Sequence, residues 1–169
     1  KNLRVISVNA DYNEAFISIK SVAGGYLYQQ RDSLQVGLNN LNIVTKRKPT
    51  DNEYNAMDVG WKLVRQVKSN AIVLADKMQL LGVGAGQMSR IDSVKIAIQK
   101  VTDNGLNLQG SILASDAFFP FPDSVELAAE AGITAVIQPG GSIKDDEVIK
   151  KANKLGIAMA FTGIRHFLH

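Results

Sequence analysis

Cysteine is absent from this 169-residue chain, which removes disulfides, thiolate catalysis and Cys-ligated zinc together and suits a cytoplasmic protein. No apolar run approaches the roughly 20 residues a helix needs to cross a bilayer, so no membrane association is expected. Histidine is scarce, only His166 and His169. A pair of His beside a chain end reads as surface, and no carboxylate cluster joins them into a metal set, so no metal site is expected. A strong charge of either sign is also missing. The formal net charge is +3, and the basic residues are dispersed except for Lys46-Arg47-Lys48, which reads as a solvated loop and not as a nucleic-acid face. A mild positive balance fits an anionic metabolite. The start, Lys1-Asn2-Leu3-Arg4-Val5, has neither Met nor a charged-then-apolar leader, which argues against a signal peptide and points to a chain cut from something longer.

With 46% hydrophobic residues, the chain can bury one substantial core, so one domain or one half of a duplicated domain is expected. The first 48 residues read as short strands and loops punctuated by Gly24-Gly25 and Asn39-Asn40. Thr50 followed by Glu53 predicts a capping box. The helix it opens carries Ala56, Gly60, Leu63, Val64 and Val67 on one face and ends near Lys68. Ala71 to Ala75 and Leu80 to Ala85 predict a hairpin across Asp76-Lys77, and Ser89 to Val101 a helix with Ile91, Val94, Ile98 and Val101 as its stripe. Asp123 with Glu126 predicts the cap of a third helix, Ile133 to Gln138 a buried strand, and Ser142 the cap of a helix bearing Val148, Ile149, Ala152 and Leu155. Ile157 to Phe161 closes the set. Hairpin and crossover signals together predict an α/β fold with a mixed sheet between helical layers. No internal repeat is visible.

Three strand-to-helix loops carry the candidate chemistry, at the edge where open α/β sheets bind ligands. Gly82-Val83-Gly84-Ala85-Gly86-Gln87-Met88-Ser89-Arg90 has neither the dinucleotide fingerprint nor the P-loop. Its glycines are either an approach path to an anion held by Arg90 or plain bulges. Ser115-Asp116-Ala117-Phe118-Phe119-Pro120-Phe121-Pro122-Asp123 holds two of the chain's four prolines and suits neither strand nor helix interior. It is either a rigid, apolar-walled loop that receives a flat ring on Phe118 or Phe119, with Asp116 or Asp123 as acceptor, or a plug for the end of a sheet. In Pro139-Gly140-Gly141-Ser142-Ile143-Lys144-Asp145-Asp146, a Gly turn enters a capped helix start whose N–H groups can meet a carboxylate.

In this order, Lys68-Ser69-Asn70-Ala71-Ile72-Val73, Val83 to Arg90, Ser115 to Asp123, Gln138 to Asp146 and Phe161-Thr162-Gly163-Ile164-Arg165-His166-Phe167-Leu168-His169 resemble the C-terminal part of the bifunctional purine-biosynthesis enzymes. Those proteins join an aminoimidazole carboxamide ribonucleotide (AICAR) formyltransferase to an IMP cyclohydrolase. The resemblance runs from about Val44 to the last residue, and the opening forty residues match only loosely. It implies a three-layer fold similar to cytidine deaminase, duplicated within the formyltransferase domain, with residues 1–169 resembling the second copy.

The resemblance further implies formyl transfer from 10-formyltetrahydrofolate, as co-substrate, to AICAR at sites between two subunits, hence a homodimer, with the upstream half of the same enzyme as a partner. Asn70, Arg90, Phe118 and Arg165 resemble residues that contact AICAR. Ile91, Asp123, Ser142 and Ile143 resemble residues near the folate. A monovalent cation such as potassium is implied around Val64 to Ala71, Asp116 and the C-terminus. The family's catalytic Lys-His dipeptide occurs nowhere in the chain, so no catalytic residue is assigned and the cyclohydrolase domain is expected elsewhere. The alternative is a nucleotide- or folate-binding regulatory module without catalysis.

Overall fold

The computed structural model describes residues 17–30 and 41–168, together with Arg4, Ile6, Ser7, Asp32 and Gly37. The chain divides into two units, Lys1–Ser33 and Leu34–His169. In the first, β1 (Ile17–Val22) and β2 (Gly25–Gln30) form an antiparallel hairpin, exposed along both strands. Its turn lies one residue earlier than the Gly24-Gly25 dipeptide suggests. Gly25 already pairs with Val22, and Gly24 supplies the left-handed conformation, φ +84°. Asn39-Asn40 lies outside the described residues.

The second unit is built on six strands: β3 (Asn42–Ile43), β4 (Ile72–Ala75), β5 (Leu80–Gly84), β6 (Ile112–Ser115), β7 (Ala135–Gln138) and β8 (Ala158–Phe161). Their order is β3-β8-β7-β6-β4-β5. β6, β7 and β8 run parallel, β3 and β4 run against them, and β5, antiparallel to β4, runs in their direction again. Four helices cover the sheet: α1 (Asp51–Val64), α2 (Arg90–Asp103), α3 (Asp123–Glu130) and α4 (Asp145–Leu155). The expected mixed sheet between helical layers is therefore present, with α3 and α4 as the crossovers between its parallel strands.

Strand alternation sorts the core into two layers. Ile72, Leu74, Leu113, Val136 and Met159 face α2, α3 and α4, where Val94, Val101, Val125, Ala128, Val148 and Ala152 meet them. The opposite face is mostly small, Ala71, Val73, Ala75, Ala114, Ala135, Ala158 and Ala160, and receives α1 alone through Ala56, Met57, Trp61 and Val64. That closeness leaves no room at Gly60, where a Cβ would lie 2.7 Å from Ile112 Cδ1.

Helix starts depart from expectation where turn chemistry intervenes. The Thr50 capping box forms, with Glu53 N–H donating to Thr50 Oγ1 and Thr50 N–H to Glu53 Oε2. α1 stops at Val64, because Gln66 and Val67 turn back to Leu63 and Val64 in tighter hydrogen bonds. Asp123 is not the cap of α3. Pro122 occupies that position, and Asp123 opens the helix with Oδ1 accepting Ser124 N–H at 2.7 Å. Ser142 likewise does not cap α4. Gly140 and Gly141, at φ +72° and +92°, spend two residues on a turn, so the helix opens only at Asp145, behind Lys144. Ser142 Oγ instead accepts Lys144 N–H, and Asp145 Oδ2 accepts Gly141 N–H. Leu155, expected on the apolar face, is exposed beside the C-cap Gly156.

Arg47 is not the solvated residue that its basic neighbours suggest. Its guanidinium pairs bidentately with Glu53 at 2.8 and 2.9 Å, and also donates to the carbonyls of Gly156 and Thr134. Thr134 Oγ1 donates to the same carboxylate. One ion pair, with a buried carboxylate and a half-buried guanidinium, thereby joins the start of α1, the start of β7 and the end of α4. Burial alone would raise the Glu53 pKa, but the hydrogen bonds from Arg47, Thr134 and the Thr50 backbone, with the Arg47 charge, hold it at about 2. The folded value lies below the unfolded one, so this stabilisation is complete above the ordinary 4.5 and is lost as pH falls from there toward about 2. Glu53→Gln should cost roughly 2 kcal/mol at neutral pH and flatten this part of the acid profile. Denaturant unfolding of both proteins between neutral and acid pH checks it.

Candidate functional site

The register assembles one edge from distant segments. β6, β7 and β8 end there, and because β4 and β5 run antiparallel, Ile72 stands opposite both Ser115 and Gly84. The segments after β5, β6, β7 and β8, and the one before β4, therefore share the carboxyl edge of the parallel strands. In open α/β sheets that edge is the ligand-binding one.

Asp116 is the centre of this edge. It is 1% exposed, and its two carboxylate oxygens accept from Arg90 Nη2 at 2.7 Å and Ser69 Oγ at 2.6 Å. Its main-chain N–H donates to Ala71 O, and its carbonyl accepts His166 N–H. Arg90 is thus committed to a buried carboxylate, where the sequence suggested a free anion grip. A buried guanidinium needs such a partner, and its Nη1 also approaches the Phe118 carbonyl at 3.5 Å.

The glycines beside Arg90 have a packing role at two of three positions. A Cβ on Gly84 would stand 1.8 Å from Ser93 O, and one on Gly82 2.6 Å from Ala97 O. These are close approaches of the α2 backbone to β5, not of a ligand. They also explain why Ser93 and Ala97 are buried on α2 while Ile91 and Ile98 are only half-buried. Gly86, at φ +66°, makes the turn itself. Asn70 secures that turn, donating from Nδ2 to Gln87 O at 2.8 Å, while its own carbonyl accepts Ser93 Oγ.

The Phe/Pro segment divides between its two readings. Phe119 is fully buried and fills the sheet end as a plug would. Phe118 stays half-buried, with the Arg165 guanidinium over its ring, 4.6 Å from the centroid. Arg165 is exposed and, unlike Arg47 and Arg90, forms no ion pair among the described residues.

Of the eight sequence-designated residues, Asn70 and Arg90 converge around β4 and Asp116, and Phe118 and Arg165 touch. Ile91 opens α2 half-buried, Asp123 is exposed, Ser142 is half-buried and Ile143 fully exposed. Among the described residues no hydrogen bond or ring contact links these last four to the first four.

His166 is a correction. It is buried against Trp61, ring centroids 4.6 Å apart, because the terminal segment folds back onto Ser69, whose N–H donates to Leu168 O. His169 lies outside the described residues. Sequence reading assigned no role to Gln138, whose signal was an amide ending an apolar strand, or to Ser69. Among the described residues no cluster of three metal-ligating side chains forms, and no helix is long and apolar enough to cross a membrane.

Loops knitted together at the carboxyl edge of a mixed, helix-covered sheet define an α/β domain whose candidate site lies at that edge. Its family follows from comparison. The model of the AICARFT/IMPCHase bienzyme family matches residues 1–100. The chain is 55% identical over 170 residues to the bifunctional purine biosynthesis protein PurH of Bacillus cytotoxicus, covering 100% of this chain and 33% of that protein. It is 54% identical, with the same coverage, to the PurH proteins of Bacillus thuringiensis and Bacillus anthracis. The chain belongs to the AICARFT/IMPCHase bienzyme family, and it spans about a third of the length of these relatives. The opening forty residues, expected to match loosely, fall inside the matched region. Among solved structures, the dCMP deaminase of cyanophage S-TIM5 overlaps at TM-score 0.44 and 18% identity, over 62% of this chain and 91% of that one. A Thermotoga maritima diaminohydroxyphosphoribosylaminopyrimidine deaminase/5-amino-6-(5-phosphoribosylamino)uracil reductase overlaps at 0.46 and 17%, over 62% and 35%.

Asp116→Ala should leave the Arg90 charge buried and unpaired, costing about 3 to 5 kcal/mol. Arg90→Met in the same background should recover part of that loss, which unfolding of the single and double variants measures.

Proposed function

We propose that residues 1–169 form the C-terminal portion of the AICAR formyltransferase domain of a bifunctional AICAR formyltransferase/IMP cyclohydrolase. In the whole polypeptide its edge loops bind AICAR and 10-formyltetrahydrofolate, and the formyl group passes to AICAR to give FAICAR on the way to IMP. The observation that carries this reading is 55% identity across the entire chain to a bifunctional purine biosynthesis protein.

The chemistry fits what this edge offers. The 5-amino group of AICAR is a poor nucleophile, its lone pair delocalised into the imidazole and tied to the carboxamide. Attack on the formyl carbon needs a base for the amine proton, stabilisation of the developing oxyanion and fixed orientation of two large ligands. Orientation is the contribution of this chain, and the base belongs to the upstream half with its Lys-His pair. Arg165 supports the assignment of a nucleotide contact, being an exposed guanidinium with no carboxylate partner beside a half-exposed ring. Arg90 acts one step back, holding Asp116 and the Phe118 carbonyl. Asp123, Ile91, Ser142 and Ile143 make the folate side, and the site is completed by a second subunit in the cytoplasm. A potassium ion around Val64 to Ala71, Asp116 and the C-terminus would be held mostly by main-chain carbonyl oxygens, and no step is routed through it.

In the whole polypeptide, Arg165→Ala should weaken AICAR binding roughly ten- to hundredfold, the worth of a lost charge-assisted contact, and leave folate binding nearly unchanged. Asp123→Asn should do the reverse, because Asn keeps an acceptor for Ser124 N–H and loses only the charge. Calorimetric titration of each variant with each ligand separates them. Equal loss of AICAR affinity in both would end the division into nucleotide and folate sides. The 169-residue chain by itself should show no formyl transfer to AICAR above a protein-free control.

A further inference from the structure

We infer that Gln138 is the positioning residue that brings Phe118 and Arg165 together, an inference that rests on the proposed nucleotide side of this edge. Gln138 ends β7 between the two strands whose loops carry that pair, and it is 0% exposed, the one fully buried side-chain amide among the described residues. An amide in an apolar layer is tolerated only when its polar atoms are engaged. On the β6 side, its Oε1 accepts Phe119 N–H at 2.8 Å. On the β8 side, its main-chain carbonyl accepts Thr162 N–H at 3.0 Å, and the adjoining Pro139 carbonyl accepts Gly163 N–H. Its Nε2 is directed to Met159 Sδ at 3.3 Å, a weak acceptor.

Phe119 lies beyond the last residue of β6 and is buried, so its N–H has no strand partner and no water. The Gln138 amide supplies that partner. It thereby fixes how deeply Phe119 enters the core and, through the chain, where the neighbouring Phe118 ring stands. Main-chain carbonyls of the same strand end, which every variant at 138 keeps, hold the start of the segment that leads to Arg165. Phe118 and Arg165 share no hydrogen bond, and their 4.6 Å stack is set by these two anchors. A ring-binding surface built this way is as accurate as its supporting residue.

The test reads the stack without ligand. In the 169-residue chain, the Nε–H proton of Arg165 should be displaced upfield by the Phe118 ring, with Phe118→Leu giving the undisplaced reference. Gln138→Leu removes the acceptor and should abolish most of that displacement. Gln138→Glu keeps an acceptor for Phe119 N–H and should retain it. If Gln138→Leu does not fold, Gln138→Met, unbranched and of similar volume, replaces it. The inference is overturned if the Leu or Met variant keeps the full displacement, if the Glu variant loses it, or if neither apolar variant folds, since Gln138 would then serve the core itself.

A second arm separates this inference from the functional reading. In the whole polypeptide, Gln138→Leu should weaken AICAR binding roughly tenfold and change folate binding less than about twofold. Loss of the displacement with AICAR affinity unchanged would uphold the positioning role and remove Phe118 from the nucleotide side.

Discussion

A single buried carboxylate, Asp116, is the point through which the loops of this edge are tied to one another. Its oxygens hold Arg90 from the start of α2 and Ser69 from the loop before β4, and its backbone joins the entry to β4 to the terminal segment through Ala71 and His166. A carboxylate can be kept charged at this depth only if several donors surround it, so each donor-bearing segment is held to a narrow range of positions. The geometry of the edge is therefore a by-product of neutralising one charge. At the opposite side of the unit, Glu53 with Arg47 and Thr134 does the same for α1, β7 and α4.

The packing that makes these charge networks possible is a matter of small residues. Gly82 and Gly84 let the α2 backbone rest against β5, and the closeness of that contact delivers Arg90 to Asp116. On the other face, the alanines of the central strands, with Gly60 on α1, let a single helix pack closely over β4, β6 and β7. Where a methyl group would collide at 1.8 Å with a carbonyl oxygen, the backbone cannot relax without moving the whole helix. The glycine-rich segment is thus structural in its first half and a turn in its second.

Arg47, Arg90 and Arg165 divide by their partners. Arg47 and Arg90 are spent on buried carboxylates. Arg165 rests on an aromatic ring, a contact worth about 0.5 to 1 kcal/mol at an exposed site. Chemical type alone does not distinguish the three; their surroundings do.

Sequence by itself determined the elements whose signals are local. The Thr50 and Glu53 capping box, the β4–β5 hairpin, the apolar run of β7 and the exclusion of strand and helix from the Phe/Pro segment follow from propensity, periodicity and the geometry of proline. The family was legible as well, because its motifs are long and ordered along the chain. Tertiary structure decided which polar residues are spent and which are available. Arg47 reads as solvated until Glu53 is folded against it, His166 reads as surface until the terminus packs on Trp61, and Asp123 and Ser142 read as caps until the turns before their helices use up the residues between. Gln138 carried almost no signal, since an amide at a strand end is informative only once Phe119 N–H is seen to need it. Burial and pairing are properties of segments far apart in the chain, and local sequence does not record where those segments meet.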